Sequence, residues 1–180
     1  MLVAQRSPKS GDRANGVVDN LSLLALMHPS LDQQSSVQLW SQHLANSYAH
    51  WRHEPLVTVT EPQTLAQALF EAPFAIVSHG TQADPIFNYA NRCALDLWEL
   101  DWPAFTQLPS RLSAEPMHRD ERATMLAQLN TQGYVDKYQG IRISSQGRRF
   151  YIQQAVIWNV INQNGDRLGQ AATFAHWQFL

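Results

Sequence analysis

Seven histidines and a scatter of carboxylates are the residues with the most obvious chemical capacity. His43, His50 and His53 lie close together, and His50 with Glu54 has the i,i+4 spacing that puts two side chains on one helix face. A zinc site asks for more than that. Neither an HExxH word nor a cysteine pair joins these histidines, so they read as surface or packing residues and no metal ligand is assigned. Ser78-His79-Gly80 sets a hydroxyl beside an imidazole. Adjacent residues of a strand point to opposite faces, so the two cannot easily share a proton. No G-x-S-x-G, Walker A or G-x-G-x-x-G word occurs. Glu115, Asp120 and Glu121 read as helix-start and surface carboxylates, and negative charge is favoured at a helix N-terminus. No catalytic residue is assigned.

A second set is better placed for binding than for catalysis. Gln153, Gln154, Asn159 and Gln170 fall in apolar segments that read as strands. A buried amide needs hydrogen-bond partners, and these are either protein groups or a polar ligand. Arg111 sits in Pro-Ser-Arg-Leu-Ser, between irregular segments from which a side chain can reach inward; the alternative is a surface pair with Glu115 or Asp120. Arg148-Arg149 reads as a solvated hairpin rather than a phosphate site.

Bulk properties narrow the class. The chain has 180 residues, 44% of them hydrophobic and six of them Trp, enough for one domain with a core of ordinary size and an extension. A net charge of -2 and a pI near 6.4 give no overall electrostatic footprint for nucleic acid. The single cysteine excludes an intramolecular disulfide and fits a reducing compartment. The N-terminal stretch lacks a signal-peptide apolar run, and Leu21 to Met27 is too short to span a bilayer. A cytoplasmic protein with no membrane contact is the expectation.

These residues need elements to hold them. Residues 1–34 mix Ser, Gly, Pro, Asn and charges and read as a disordered or weakly ordered extension, with one or two helical turns at Leu21 to Met27. Residues 35–180 form the domain. Val37, Trp40, Leu44, Tyr48 and Trp51 recur at helical spacing behind a Ser35 or Ser36 cap. That stripe is either a core face or a homodimer contact. Thr60-Glu61-Pro62-Gln63 resembles a capping box for a helix through Phe70. Strands are expected over Phe74–Ser78, Ile86–Asn88, Tyr134–Ser144, Arg148–Ile161 and Leu168–Phe179, with Asn164-Gly165 as a hairpin turn. Asn88 or Asn91 caps a helix through Trp98, and Asp120 to Gln132 is a helix stopped by Gly133. Strict alternation along Arg148–Ile161 puts Phe150, Ile152, Gln154, Val156, Trp158 and Val160 on one face. Neither face is polar enough to meet water, so both must be covered, the outer one by the Val37–Trp51 helix.

The order strand, turn, strand, Asn-capped helix over FAIVSHGTQADPIFNYANRCALDLWEL resembles the opening of a PAS domain. The words PIFNYANRCALDLWEL, LPSRLSAEP with RDER, GIRISSQGRRFYIQQAVIWNV and GQAATFAHW, in that order, are similar to the MEKHLA domain, a PAS-related family, over roughly Val37 to Leu180. The family occurs in plant homeodomain–leucine-zipper transcription factors and as free-standing bacterial proteins. The resemblance implies an α+β fold, a five-stranded antiparallel sheet in order 2-1-5-4-3 with flanking helices. It also implies a non-catalytic sensory module for signal transduction, binding a small molecule or a protein partner. Two other readings stay open: an enzyme on a related cone-shaped α+β fold, and a structural dimerisation module. In PAS folds the cavity lies between the sheet and the helices after the second strand. Here that places Trp98, Arg111, His118, Gln154 and Trp158 around a ligand, with Gln153 and Asn159 as the alternative if the other sheet face turns inward. Arg111 would hold a ligand's negative group. No cofactor is assigned. Cys93 stands in Asn-Arg-Cys-Ala at the start of the first helix, not in the N-C-R-F-L word of light-sensing flavin PAS domains, so it reads as a small buried residue.

Overall fold

The computed structural model describes residues 34–115 and 119–180. The expected disordered extension, the Leu21–Met27 turns and His118 lie outside the described residues.

Helix α1 (Gln34–Arg52) carries the stripe read from the sequence, with Leu44 and Tyr48 buried. Helix α2 (Leu65–Phe70) has its capping box one turn later than the sequence suggests. Thr64 accepts from the Gln67 N–H, and the Gln67 side chain accepts from the Thr64 N–H at 2.9 Å. Thr60 to Gln63 instead close a turn, Gln63 N–H donating to Thr60 O at 2.9 Å. Strands β1 (Ala75–His79) and β2 (Phe87–Ala90) follow, then α3 (Arg92–Trp98), α4 (Trp102–Phe105) and a 3-10 turn at Ser110–Ser113. Helix α5 (Arg119–Gln132) leads into β3 (Tyr134–Ile143), β4 (Arg149–Ile161), β5 (Arg167–Phe174) and β6 (His176–Phe179).

Asn91 explains why α3 starts where it does. It is fully buried. Its Oδ1 accepts from the Ala94 N–H at 3.1 Å, as a helix cap, and from the Ile76 N–H of β1 at 2.9 Å. Its Nδ2 donates to Phe74 O at 2.7 Å. One side chain thus satisfies a helix end and a strand end together.

The sheet is antiparallel in order β2-β1-β5-β4-β3, as the resemblance implies. The expected last strand is two. Both β5 and β6 pair with β4, and the chain breaks between them at Ala175.

Both faces are covered. Trp158 meets Tyr48 of α1, ring centroids 5.1 Å apart, while the next residue, Asn159, donates its amide to Leu129 O of α5 at 2.8 Å. Successive strand residues face opposite ways, so α1 and α5 lie on opposite faces. Asn159 pairs with Gln170, and alternation along β5 puts Phe174 on the same face, where it meets Trp98 of α3. Helix α1 therefore covers the outer face, as expected, and α3 and α5 the inner one.

The strict alternation expected along β4 does not hold. Phe150 packs on Trp98, on the inner face, whereas Trp158 packs on α1. Gln154 has φ +53°, a left-handed conformation that inverts the pleat between them. The neighbouring strands invert opposite it, between β5 and β6: Phe174 and Trp177, three apart, are in edge contact at 6.1 Å.

Candidate functional site

The space under the inner face is filled by aromatic rings. Trp98 is 1% exposed, and its ring centroid lies 5.9 Å from Phe105, 5.2 Å from Phe150 and 6.1 Å from Phe174, all at steep angles. Each such pair adds about 0.5–1.5 kcal/mol beyond burial. The Trp98 indole N–H is buried with no partner among the described residues.

The residues expected to surround a ligand do not converge. Trp98 stands inside the inner layer and Trp158 is buried on the outer side, because the pleat inverts at Gln154. Gln154 is exposed at that inversion. Arg111 is placed on the surface rather than inward: its side chain is 62% exposed, and its Nε is 3.0 Å and 3.1 Å from the two carboxylate oxygens of Asp84. The 3-10 turn at Ser110–Ser113 directs it outward to that acid, which the sequence reading had not paired with it. His118 lies outside the described residues.

Two arrangements go beyond the sequence reading. One is a junction at Asn159, a strand amide whose donor finds a protein group rather than a ligand. Its amide N–H2 holds Leu129 O of α5, its main-chain N–H donates to Gly133 O at 2.8 Å, and its main-chain oxygen accepts from the Trp51 indole at 2.8 Å. Gly133 has φ +78°, and a Cβ there would stand 2.4 Å from the Trp51 ring, so the close approach requires glycine.

The other is a groove at the edge strand β2, enclosing about 550 Å³ between β2, α4 and the start of α1. Trp40, Phe87, Tyr89 and Trp102 form its walls, with Tyr89 edge-on to Trp102 at 5.7 Å. The Tyr89 hydroxyl is buried without a partner among the described residues, and that burial pushes its pKa up. Ser78, a serine directly after the apolar Ala75-Ile76-Val77, is the available sequence signal for this groove. It accepts from the Trp40 indole at 2.8 Å and donates to Asn88 Oδ1 at 2.7 Å.

Titratable groups elsewhere are modestly placed. Burial lowers the His79 pKa, opposed by the contact of its Nδ1 with Gly80 O at 2.8 Å. Burial, with Asp96 nearby, raises that of the Cys93 thiol, so the thiolate nucleophile is disfavoured. Hydrogen bonds from Ser144 and Arg148 lower the Glu99 carboxyl. Among the described residues, no group of three or more His, Cys, Asp or Glu side chains is placed to hold a metal ion. No helix among them is long and apolar enough to cross a membrane.

The sequence profile of the MEKHLA domain matches residues 38–179. Among curated proteins, the chain is similar to the homeobox-leucine zipper protein ATHB-9 of Arabidopsis thaliana, 30% identical over 119 residues. It is also similar to the homeobox-leucine zipper protein REVOLUTA of the same plant, 26% identical over 147 residues. The aligned parts cover 65% and 78% of this chain but only 14% and 18% of those proteins. Among solved structures, a PAS domain from Colwellia psychrerythraea superposes with a TM-score of 0.53 at 14% identity, over 64% of this chain and 92% of that one. An RNA-binding light-oxygen-voltage receptor superposes with a TM-score of 0.51 at 16% identity, over 83% of this chain and 56% of that one. Both likenesses are of fold.

Proposed function

The chain belongs to the MEKHLA domain family, and from that premise we propose that it is a PAS-like sensory or regulatory module that binds a small molecule or a protein partner and carries out no catalysis. The observation that carries this reading is the junction at Asn159. One strand residue holds α1 on the outer face and α5 on the inner face by separate hydrogen bonds. In this reading a change in the packing of either helix reaches the other through Asn159, as a module that converts binding into a structural output requires. A homodimer through α1 remains part of the proposal. The helix turns Leu44 and Tyr48 to its own sheet, and Leu39, 55% exposed, is the apolar side chain it offers a second copy.

The test is native mass spectrometry with an absorption spectrum on freshly purified protein, followed by thermal shift against a metabolite panel. A retained or stabilising compound that is recovered unchanged supports the sensor. Conversion of that compound would favour the enzyme reading. A concentration-dependent dimer with no bound compound would favour the dimerisation module.

A further inference from the structure

The groove beside β2 has a donor left over, and the hydrogen-bond directions show which atom it is. An indole N–H can only donate, so Ser78 Oγ accepts from Trp40 through a lone pair. The single Ser78 proton then goes to Asn88 Oδ1. In this arrangement the Asn88 carboxamide has its oxygen toward Ser78, and its N–H2 has no partner among the described residues. The same two bonds hold the Trp40 ring in place, so wall and donor are set before anything binds. Gln82 brings a second carboxamide to the rim, and no charged side chain is among the groove's lining residues. The groove is open to solvent, and its volume of about 550 Å³, between aromatic walls and the polar side chains of Ser36, Gln82, Asn88 and Thr106, falls within the range of small-molecule sites.

We propose that this groove binds a flat, uncharged small molecule that lies against Trp40, meets the edge of the nearly buried Trp102 and accepts a hydrogen bond from the Asn88 amide through a carbonyl or ring nitrogen. The proposal deepens the sensory reading and rests on it. An anionic ligand is disfavoured, since no cation lines the groove to offset the hydration it would lose there. The site differs from the space under the inner face, which Trp98 and its aromatic neighbours fill.

The test is a nuclear magnetic resonance titration of the full chain with the uncharged lactams 2-quinolinone and phthalimide, using quinaldate as the anionic control. The Trp40 and Trp102 indole N–H signals and the Asn88 side-chain N–H2 pair should shift together with either lactam and stay still with quinaldate. Asn88→Asp keeps the acceptor for Ser78 and removes the donor, so it should weaken lactam binding about tenfold while the rest of the spectrum stays dispersed. Shifts confined to another surface, no shift with either lactam, or equal binding by Asn88→Asp would overturn the site. So would groove signals that move with protein concentration alone, which would assign the groove to a second copy. If the metabolite panel finds a bound compound while these signals stay still, the site fails and the sensory reading stands. If no compound binds anywhere, the site fails and the small-molecule reading gives way to the protein-partner one.

Discussion

The indole of Trp51 donates its N–H to the main-chain oxygen of Asn159 across 2.8 Å. The Asn159 side chain holds Leu129 O on the other side of the sheet at the same distance. Between them lies Gly133, the residue that ends α5 and opens the way to β3, with its Cα against the Trp51 ring. The outer helix and the inner helix are thus fastened to one strand position. The coupling has contiguous, named contacts, which makes it open to direct measurement.

Gly133→Ala should be strongly destabilising. A non-glycine residue at φ +78° is strained, and the added methyl would stand 2.4 Å from Trp51 carbons, so the ring must move. A loss of about 1–3 kcal/mol is expected from chemical denaturation. Gly147→Ala has a similar φ of +76° but nothing within 4 Å, so it should cost less. Equal losses would mean that the contact with Trp51 carries nothing.

Asn91→Ala removes a cap and takes the side-chain partner from the buried main-chain N–H groups of Ile76 and Ala94 and from the Ala72 and part-buried Phe74 carbonyls. The expected loss is about 3 kcal/mol or more, read from the urea midpoint. A loss confined to that of an ordinary cap, ~1 kcal/mol, would show that water replaces the amide.

His79 gives a pH signature. Burial lowers its folded pKa below the unfolded value of about 6.5, and Arg167 adds to the effect, while the bonds to Gly80 O and Gln170 oppose it. Above that unfolded value both states are neutral and the fold keeps its full stability. As the pH falls through it, the unfolded chain takes up the proton first, so stability is lost until the folded pKa is reached. Denaturation at pH 7.5 and pH 5.5 should show this loss in the natural protein and a smaller one in His79→Gln. An identical loss in both would assign the effect to other groups.

Arg111→Ala should change stability by no more than about 0–1 kcal/mol, because its pair with Asp84 is exposed on both sides. A larger loss in a denaturation curve would mean that Arg111 has a structural role its position does not suggest.

Sequence and structure agree where local chemistry decides. The capping asparagine at 91, the glycine stop at 133 and the Asn164-Gly165 turn are set by a few adjacent residues, while the sheet order is what the family resemblance implies. The candidate site was less legible because it depends on which way β4 faces. Gln153 and Gln154 look alike in the sequence, and only the positive φ at Gln154 moves Trp158 to the face opposite Phe150. Arg111 and Asp84 are 27 residues apart, and their pairing depends on how two surface loops approach each other. The groove beside β2 likewise depends on where α1 crosses the sheet, which no local word encodes.

The most direct test of the coupling between the two faces is hydrogen–deuterium exchange on Trp51→Phe, which keeps an aromatic ring and removes only the indole N–H. Faster exchange, by about tenfold, is expected in the last turn of α5 around Leu129 and Gly133 as well as in the last turn of α1. Faster exchange in α1 alone, with α5 unchanged, would show that the two faces behave independently and that Asn159 does not couple them.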